Sequence, residues 1–137
     1  MIIGYTTGVF DLFHIGHVNL LRNARAICDK LIVGVTVDEL VSYKGKHSVI
    51  PYVERLSVVQ ACRYVDAAIP QKSIDKIEAI KKLNADILFV GDDWHESENW
   101  QAMEKQLSEM GCRVTYFPYT EGTSSTLINQ TLERLRN

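Results

Sequence analysis

The residues from Thr6 to His17 read Thr-Thr-Gly-Val-Phe-Asp-Leu-Phe-His-Ile-Gly-His and set two imidazoles three positions apart, where an apolar run gives way to an amphipathic one. A strand from Ile2 would lead into a helix from about Gly16 to Cys28, with Val18, Leu20, Leu21, Ala24 and Ile27 on one stripe. That places His14 and His17 at a helix start, where unpaired N–H groups and the positive end of the macrodipole favour an anion. Gly8 permits a tight turn, and Gly16 lets backbone approach a ligand. With imidazole donors added, and their charge when protonated, the segment reads as a phosphate cradle. The same pair could ligate zinc, but no Cys-x-x-Cys or carboxylate cluster stands nearby to complete a site. Packed structural histidines are the other plain reading.

The elements that must hold this segment alternate along the chain. Residues 30 to 37 are β-branched and apolar, as expected of a strand buried on both faces. Residues 38 to 50 read as the longest irregular segment, and Pro51 suits the first turn of a helix running to about Tyr64. A short strand over 67 to 70 follows, then a helix capped by Ser73 and reaching about Leu83. Residues 87 to 90 form another strand, 98 to 110 a helix closing at Gly111, 113 to 117 a fifth strand, and a last helix starts near Ser124 and reaches Leu135. Strands separated by helices need right-handed crossovers, hence one α/β Rossmann-like domain over residues 1 to 137 with a parallel sheet covered on both faces. The ligand crevice of such a sheet lies at the carboxyl ends of the strands where their order reverses.

Composition narrows the function classes. With 46% hydrophobic and 23% charged residues and a net charge of −2, the chain is ordinary for a soluble enzyme domain and gives no support for non-specific nucleic-acid binding. No charged leader with an apolar stretch is read at the start, and no apolar run approaches the ~20 residues of a membrane span, so a cytoplasmic protein without membrane insertion is expected. Cys28, Cys62 and Cys112 are odd in number and widely spaced, which suits buried free thiols. The dinucleotide fingerprint Gly-x-Gly-x-x-Gly, the Walker glycine-lysine motif and a nucleophile elbow are all missing from the sequence. Direct in-line transfer of a phosphorus group, with no covalent enzyme intermediate, is the chemistry that remains.

Further charged and hydroxyl residues fit that chemistry. Lys44 and Lys46 flank Gly45 in the polar segment, either as a solvated loop or as a cationic lid over a phosphate chain. Arg55 and Arg63, eight residues apart on one expected helix, would share a face and suit phosphate recognition, against salt bridging with Glu54 or Asp66. Asp11 either holds the loop by hydrogen-bonding backbone N–H groups or takes part directly, and Asp38 is similarly divided. Ser124, Ser125 and Thr126 would offer hydroxyls and N–H groups at another helix start. Trp94 leans toward the site, although packing is as good a use of an indole.

The spacing His-x-Gly-His after Gly-x-Phe-Asp resembles the HxGH nucleotidyltransferase superfamily, and within it the small bacterial glycerol-3-phosphate cytidylyltransferases. The likeness continues in Lys44-Gly45-Lys46, in Glu54-Arg55 with Arg63-Tyr64-Val65-Asp66, in Gly91-Asp92-Asp93-Trp94 and in Thr120-Glu121-Gly122-Thr123-Ser124-Ser125-Thr126. One departure stands out: Tyr119 occupies the place before Thr-Glu-Gly where the family usually has Arg. The resemblance implies strand order 3-2-1-4-5, transfer of CMP from CTP to glycerol 3-phosphate, magnesium held mainly by the triphosphate, and a homodimer. It implies catalytic roles for His14, His17, Lys44 and Lys46. Nucleotide contacts are expected from Thr6, Thr7, Gly8, Val9, Phe10, Asp11, Gly16, Arg63, Gly91, Asp92, Asp93, Trp94, Tyr119, Thr120, Glu121, Gly122, Ser124, Ser125 and Thr126. Acceptor contacts are expected from Asp38, Lys44, Lys46, Arg55 and Asp66. The alternatives are cytidylyl or adenylyl transfer to another phosphorylated alcohol or sugar, and a nucleotide-binding module without turnover.

Overall fold

In the computed structural model the elements run β1 (Ile3–Gly8), α1 (Ile15–Ala26), β2 (Lys30–Thr36), α2 (Asp38–Tyr43), α3 (Tyr52–Ala61), β3 (Ala67–Gln71), α4 (Ile77–Leu83), β4 (Ile87–Gly91), α5 (Glu98–Glu109), β5 (Arg113–Phe117) and α6 (Ser125–Arg136). The described residues are 1–43, 45, 47–91, 98–118 and 125–136, with the side chains of 98, 99, 125–127, 129 and 136 outside that description. The strands form one parallel sheet in the order β3-β2-β1-β4-β5. The chain therefore builds outward from β1 through β2 to β3, then returns to the other side of β1 at β4. The reversal falls between β1 and β4, and the carboxyl ends of these strands, at Gly8 and Gly91, are where sheets of this kind place a ligand crevice.

Burial follows strand position. β2 from Leu31 to Thr36 and β4 from Ile87 to Val90 are buried throughout, as interior strands of a parallel sheet must be, whereas the edge strands β3 and β5 are mostly half-buried. Pro70 cannot donate to a ladder and is tolerated in β3 because that strand is an edge. Alternate side chains divide between two cores. Leu31, Val33, Val35, Ile87 and Phe89 pack with Leu21 and Ala24 of α1 and Val59 of α3. Tyr5, Ile32, Leu88 and Val90 pack on the opposite face with Ile80 of α4 and Trp100 and Leu107 of α5. A Cβ at Gly34 would stand 2.5 Å from the Tyr5 hydroxyl, so the ring lies against bare backbone, and burial pushes its pKa up to about 12.

The amino ends of the strands are pinned by carboxylates. Asp86 accepts the Ile3 N–H at 2.8 Å and Asp66 the Leu31 N–H at 2.8 Å, which fixes neighbouring strands in register at the end of the sheet away from the crevice. Three expected boundaries shift. The polar segment after β2 contains the short helix α2, because Leu40 and Val41 are buried within it. The helix expected from Ser73 begins at Ile77 instead: Ser73 Oγ accepts from the Asp75 N–H and Asp75 from the Ile77 N–H, two local turns that delay the start. α3 ends at Ala61 rather than Tyr64, since Cys62 is extended, with ψ 130°. Gly111, with φ +81°, ends α5 in the left-handed conformation that glycine accepts freely. Cys28 and Cys112 are buried and Cys62 half-buried, all three as free thiols. No helix among the described residues is long and apolar enough to cross a membrane.

Candidate active site

The loop from β1 into α1 is closed by its own histidines. His14 is the N-cap, with extended backbone at φ −141°, and its Nδ1 accepts the Gly16 N–H at 3.0 Å. His17, three residues on, accepts the His14 N–H on its own Nδ1 at 3.1 Å. This is a capping box built from two imidazoles in place of a hydroxyl and a carboxylate. Because each Nδ1 is an acceptor, each neutral ring carries its proton on Nε2, which leaves an Nε2–H donor for a ligand. Burial pushes the His17 pKa down to about 4, reinforced by His14 and opposed by Asp11, and burial lowers His14 as well. Near neutral pH the pair therefore offers neutral donors, and adding a proton at Nδ1 breaks the cap. The His17 ring is seated by Phe13, stacked at 5.3 Å, by Phe10, edge-on at 5.3 Å, and by His14 at 4.0 Å.

The loop stores strain and is held against it. Phe10 and Leu12 have φ of 54° and 52°, which costs a bulky residue on the order of 1–3 kcal/mol. Phe10 is anchored in the core, and the Asp11 carboxylate accepts the Val49 and Ile50 N–H groups at 2.7 and 2.9 Å. Arg55 completes the frame from inside, with 1% of its surface exposed. Its Nη1 donates to the carbonyls of Val9 and Thr36 at 2.8 and 2.7 Å, its Nε to the Ile50 carbonyl at 2.8 Å, and its Nη2 to Asp38 at 2.6 Å. Asp38 also accepts the Tyr52 N–H at 3.0 Å and the Ser48 hydroxyl at 3.1 Å. The Tyr52 N–H, helped by Arg55 and Ser48, holds the Asp38 carboxyl below the usual range. The histidine loop, the end of β2 and the start of α3 are thus one hydrogen-bonded unit.

Several expected site residues are placed elsewhere or differently. Arg55 spends four of its five N–H groups inside the protein, so its role here is a staple, neither phosphate recognition nor a bridge to Glu54 or Asp66. Arg63 does not share its helix face, because α3 has already ended, and its guanidinium lies over the Tyr64 ring at 5.8 Å. Arg63 and Asp66 precede β3 and so stand at the amino end of the sheet, about 20 Å of strand away from the histidines. Asp66 there pairs with Arg25 at 3.0 Å as well as with the Leu31 N–H. The Thr6 hydroxyl is buried and donates to the Phe89 carbonyl at 3.0 Å, tying β1 to β4 rather than facing a ligand. The Gly16 N–H points to His14, not outward. Thr7, Gly8 and Val9 are half-buried at the end of β1, and Gly91 ends β4 beside them. Lys44, Lys46, Asp92, Asp93, Trp94, Tyr119, Thr120, Glu121, Gly122 and Ser124 lie outside the described residues, while Ser125 and Thr126 open α6 with their side chains undescribed.

Sequence reasoning offered backbone N–H partners for Asp11 but could not name Val49 and Ile50, since backbone donors have no signature. The burial of Arg55 had one: it stands in line with Tyr52, Leu56 and Val59 on the inward stripe of α3. Chemically, the site presents two fixed imidazole donors at a helix start, at the strand ends where the sheet order reverses, an arrangement suited to an anionic phosphate chain.

Comparison with known proteins agrees with this geometry. Residues 5–131 match the cytidylyltransferase-like family. The chain is 39% identical to a glycerol-3-phosphate cytidylyltransferase of Staphylococcus aureus over 93% of this chain and 92% of that protein. It is 34% identical to an FAD synthase of Archaeoglobus fulgidus over 94% and 93% of the two. The crystal structure of a lipopolysaccharide core biosynthesis protein from Thermoplasma volcanium superposes with a TM-score of 0.74 at 26% identity, covering 90% of this chain and 99% of that one. The chain belongs to the cytidylyltransferase-like family and is a nucleotidyltransferase.

Proposed function

We propose that this nucleotidyltransferase moves CMP from CTP to glycerol 3-phosphate, giving CDP-glycerol and pyrophosphate. A phosphate oxygen of the acceptor, already anionic at neutral pH, attacks the α-phosphorus of CTP. The new P–O bond forms as the bond to the β-phosphate bridging oxygen breaks, and the electron pair leaves with pyrophosphate. No general base is needed, so the protein's task is orientation and neutralisation of the charge that builds on the phosphoryl oxygens. His14 and His17 donate through Nε2–H, and the start of α1 adds its dipole. The observation that carries the reading is this reciprocal cap, which fixes both tautomers with an N–H to spare. Lys44 and Lys46 are assigned to the phosphate chain and the acceptor.

Magnesium fits as a companion of the triphosphate. Among the described residues no group of three or more His, Cys, Asp or Glu side chains could cage an ion, and both histidine Nδ1 atoms are already occupied by backbone N–H groups. When bound, the ion neutralises the phosphate oxygens and the leaving pyrophosphate. A homodimer, as the resemblance implies, is the proposed assembly. Likeness to an FAD synthase keeps adenylyl transfer as the competing reading. Pyrophosphate release, measured with magnesium, each of the four nucleoside triphosphates, and a panel including glycerol 3-phosphate, ribitol phosphate and flavin mononucleotide, tests both. Release only with CTP and glycerol 3-phosphate is expected. Release with ATP and a flavin substrate overturns the reading, and no release with any pair leaves a binding module.

A further inference from the structure

One hydrogen bond fixes a point of an imidazole but not its plane. The reciprocal cap gives His17 one such bond, from the His14 N–H to its Nδ1 at 3.1 Å, and a ring held only there could twist about the contact. Neighbouring rings supply the second constraint. Phe13 lies against the face of His17, with centroids 5.3 Å apart and planes 24° from parallel, and Phe10 meets it edge-on at 5.3 Å and 62°. Both arrangements are those in which aromatic pairs attract. The two phenyl rings stand 6.5 Å apart, and left-handed backbone at Phe10 and Leu12 folds the segment tightly enough for both to reach the same imidazole. Phe13 is half-buried and packs against the core cluster that holds Phe10, Leu21 and Phe89, so the stack is anchored in the body of the domain. The His14 ring lies 4.0 Å from that of His17, tilted by 33°, so the plane of one bears on the other.

A preorganised donor lowers a barrier only if its direction is held, to within about 10–20°, before the charge it meets has built up. Resting on the function proposed above, we infer that Phe13 is a positioning residue for the transfer step: its ring holds the plane of His17, and through it that of His14, so that both Nε2–H groups keep the direction the developing phosphoryl charge requires. Phe13 acts through the imidazoles and touches no substrate in this role. The same ring shields one side of His17 from water. Burial is the largest cause of the His17 pKa of about 4, and the titratable groups acting on it among the described residues are His14, which lowers it, and Asp11, which raises it. Removing the phenyl ring should therefore admit water and raise that pKa.

Phe13→Leu, Phe13→Met and Phe13→Tyr in the full chain test the inference. Leu and Met fill the space without a plane, and Met, the more adaptable filler, carries the test if Phe13→Leu fails to fold; Tyr keeps the ring. Initial rates with CTP and glycerol 3-phosphate varied in turn should show kcat lowered about threefold to tenfold in Phe13→Leu and Phe13→Met, the worth of one aromatic pair. Both KM values stay within about twofold, and Phe13→Tyr stays near wild type because the stack is restored. Nitrogen NMR of the histidine side chains, which needs no substrate, should show the His17 titration rising from about 4 toward 6.5 in Phe13→Leu and Phe13→Met but not in Phe13→Tyr. Thermal midpoints report the packing cost separately. An unchanged kcat in a folded Leu or Met variant, an equal loss in Phe13→Tyr, or a loss with His17 titrating as in wild type overturns the role of Phe13 while leaving the function standing. A wild type that transfers CMP to no phosphorylated alcohol overturns the functional reading, and the inference with it.

Discussion

Replacing Arg55 by Met separates a structural staple from a phosphate contact. The substitution keeps the length of the apolar stem but deletes four hydrogen bonds, leaving the carbonyls of Val9, Thr36 and Ile50 and one oxygen of Asp38 without their donor. Removing one partner of a buried pair costs about 3–5 kcal/mol, and each stranded carbonyl about 1–3. The Asp38 side chain is 47% exposed and still has Tyr52 and Ser48, so water recovers part of that loss. With the Asp38 loss largely recovered, the three carbonyls at the low end of their range, about 1 kcal/mol each, set an expected destabilisation of about 3 kcal/mol, a large share of the ~5–15 kcal/mol that holds a domain folded. For a chain of this size it lowers the melting midpoint by roughly 10 °C. Arg55→Lys should lose less, since it keeps the charge and one or two donors. Circular dichroism melts and urea titrations read the stability, and CTP titration reads the site. A variant that melts like wild type but has lost CTP affinity would refute the staple and restore Arg55 as a ligand contact.

Substituting the histidines should lower kcat by ~10²–10³ with the fold intact. His14→Asn is the sharper variant, because Asn caps helices well but lacks Nε2–H, so a near-normal rate in it sinks the catalytic role. Acid should weaken the fold through His17. Its folded pKa of about 4 lies below its ordinary 6.5, so the unfolded chain binds more protons between those values, and up to about 3 kcal/mol of stability present above pH 6.5 is lost as pH falls toward 4. Melts of wild type and His17→Gln across that window check it: an unaltered slope in the variant assigns the loss elsewhere. Tyr119→Arg should tighten CTP binding modestly without changing the preferred base, because a side chain there addresses phosphates that all nucleotides share. A switch toward ATP in parallel titrations would show that Tyr119 reads the base.

Periodicity and composition made the fold legible. The all-apolar runs of β2 and β4 announced interior strands, and Gly111 announced the end of α5, because burial on both faces and a left-handed backbone each demand particular residue types. The histidine pair at a helix start was legible for the same reason, from the change of periodicity after β1. Its protonation was not, since the acceptors of the cap form only once the loop has closed. Arg55 and Arg63 misled because eight residues imply a shared face only while the helix lasts, and α3 stops at Ala61. Asp66 misled because the resemblance made it an acceptor contact, although its place just before β3 already set it at the amino end of the sheet.

The central claim is direct CMP transfer from CTP to glycerol 3-phosphate without an enzyme-bound intermediate. One diastereomer of α-thio-CTP, incubated with magnesium, glycerol 3-phosphate and the protein, tests it in a single phosphorus NMR measurement. A single in-line displacement predicts a thio analogue of CDP-glycerol with inverted configuration at the α-phosphorus, together with pyrophosphate. Retained configuration, or no transfer where ATP and a different acceptor succeed, would contradict the account.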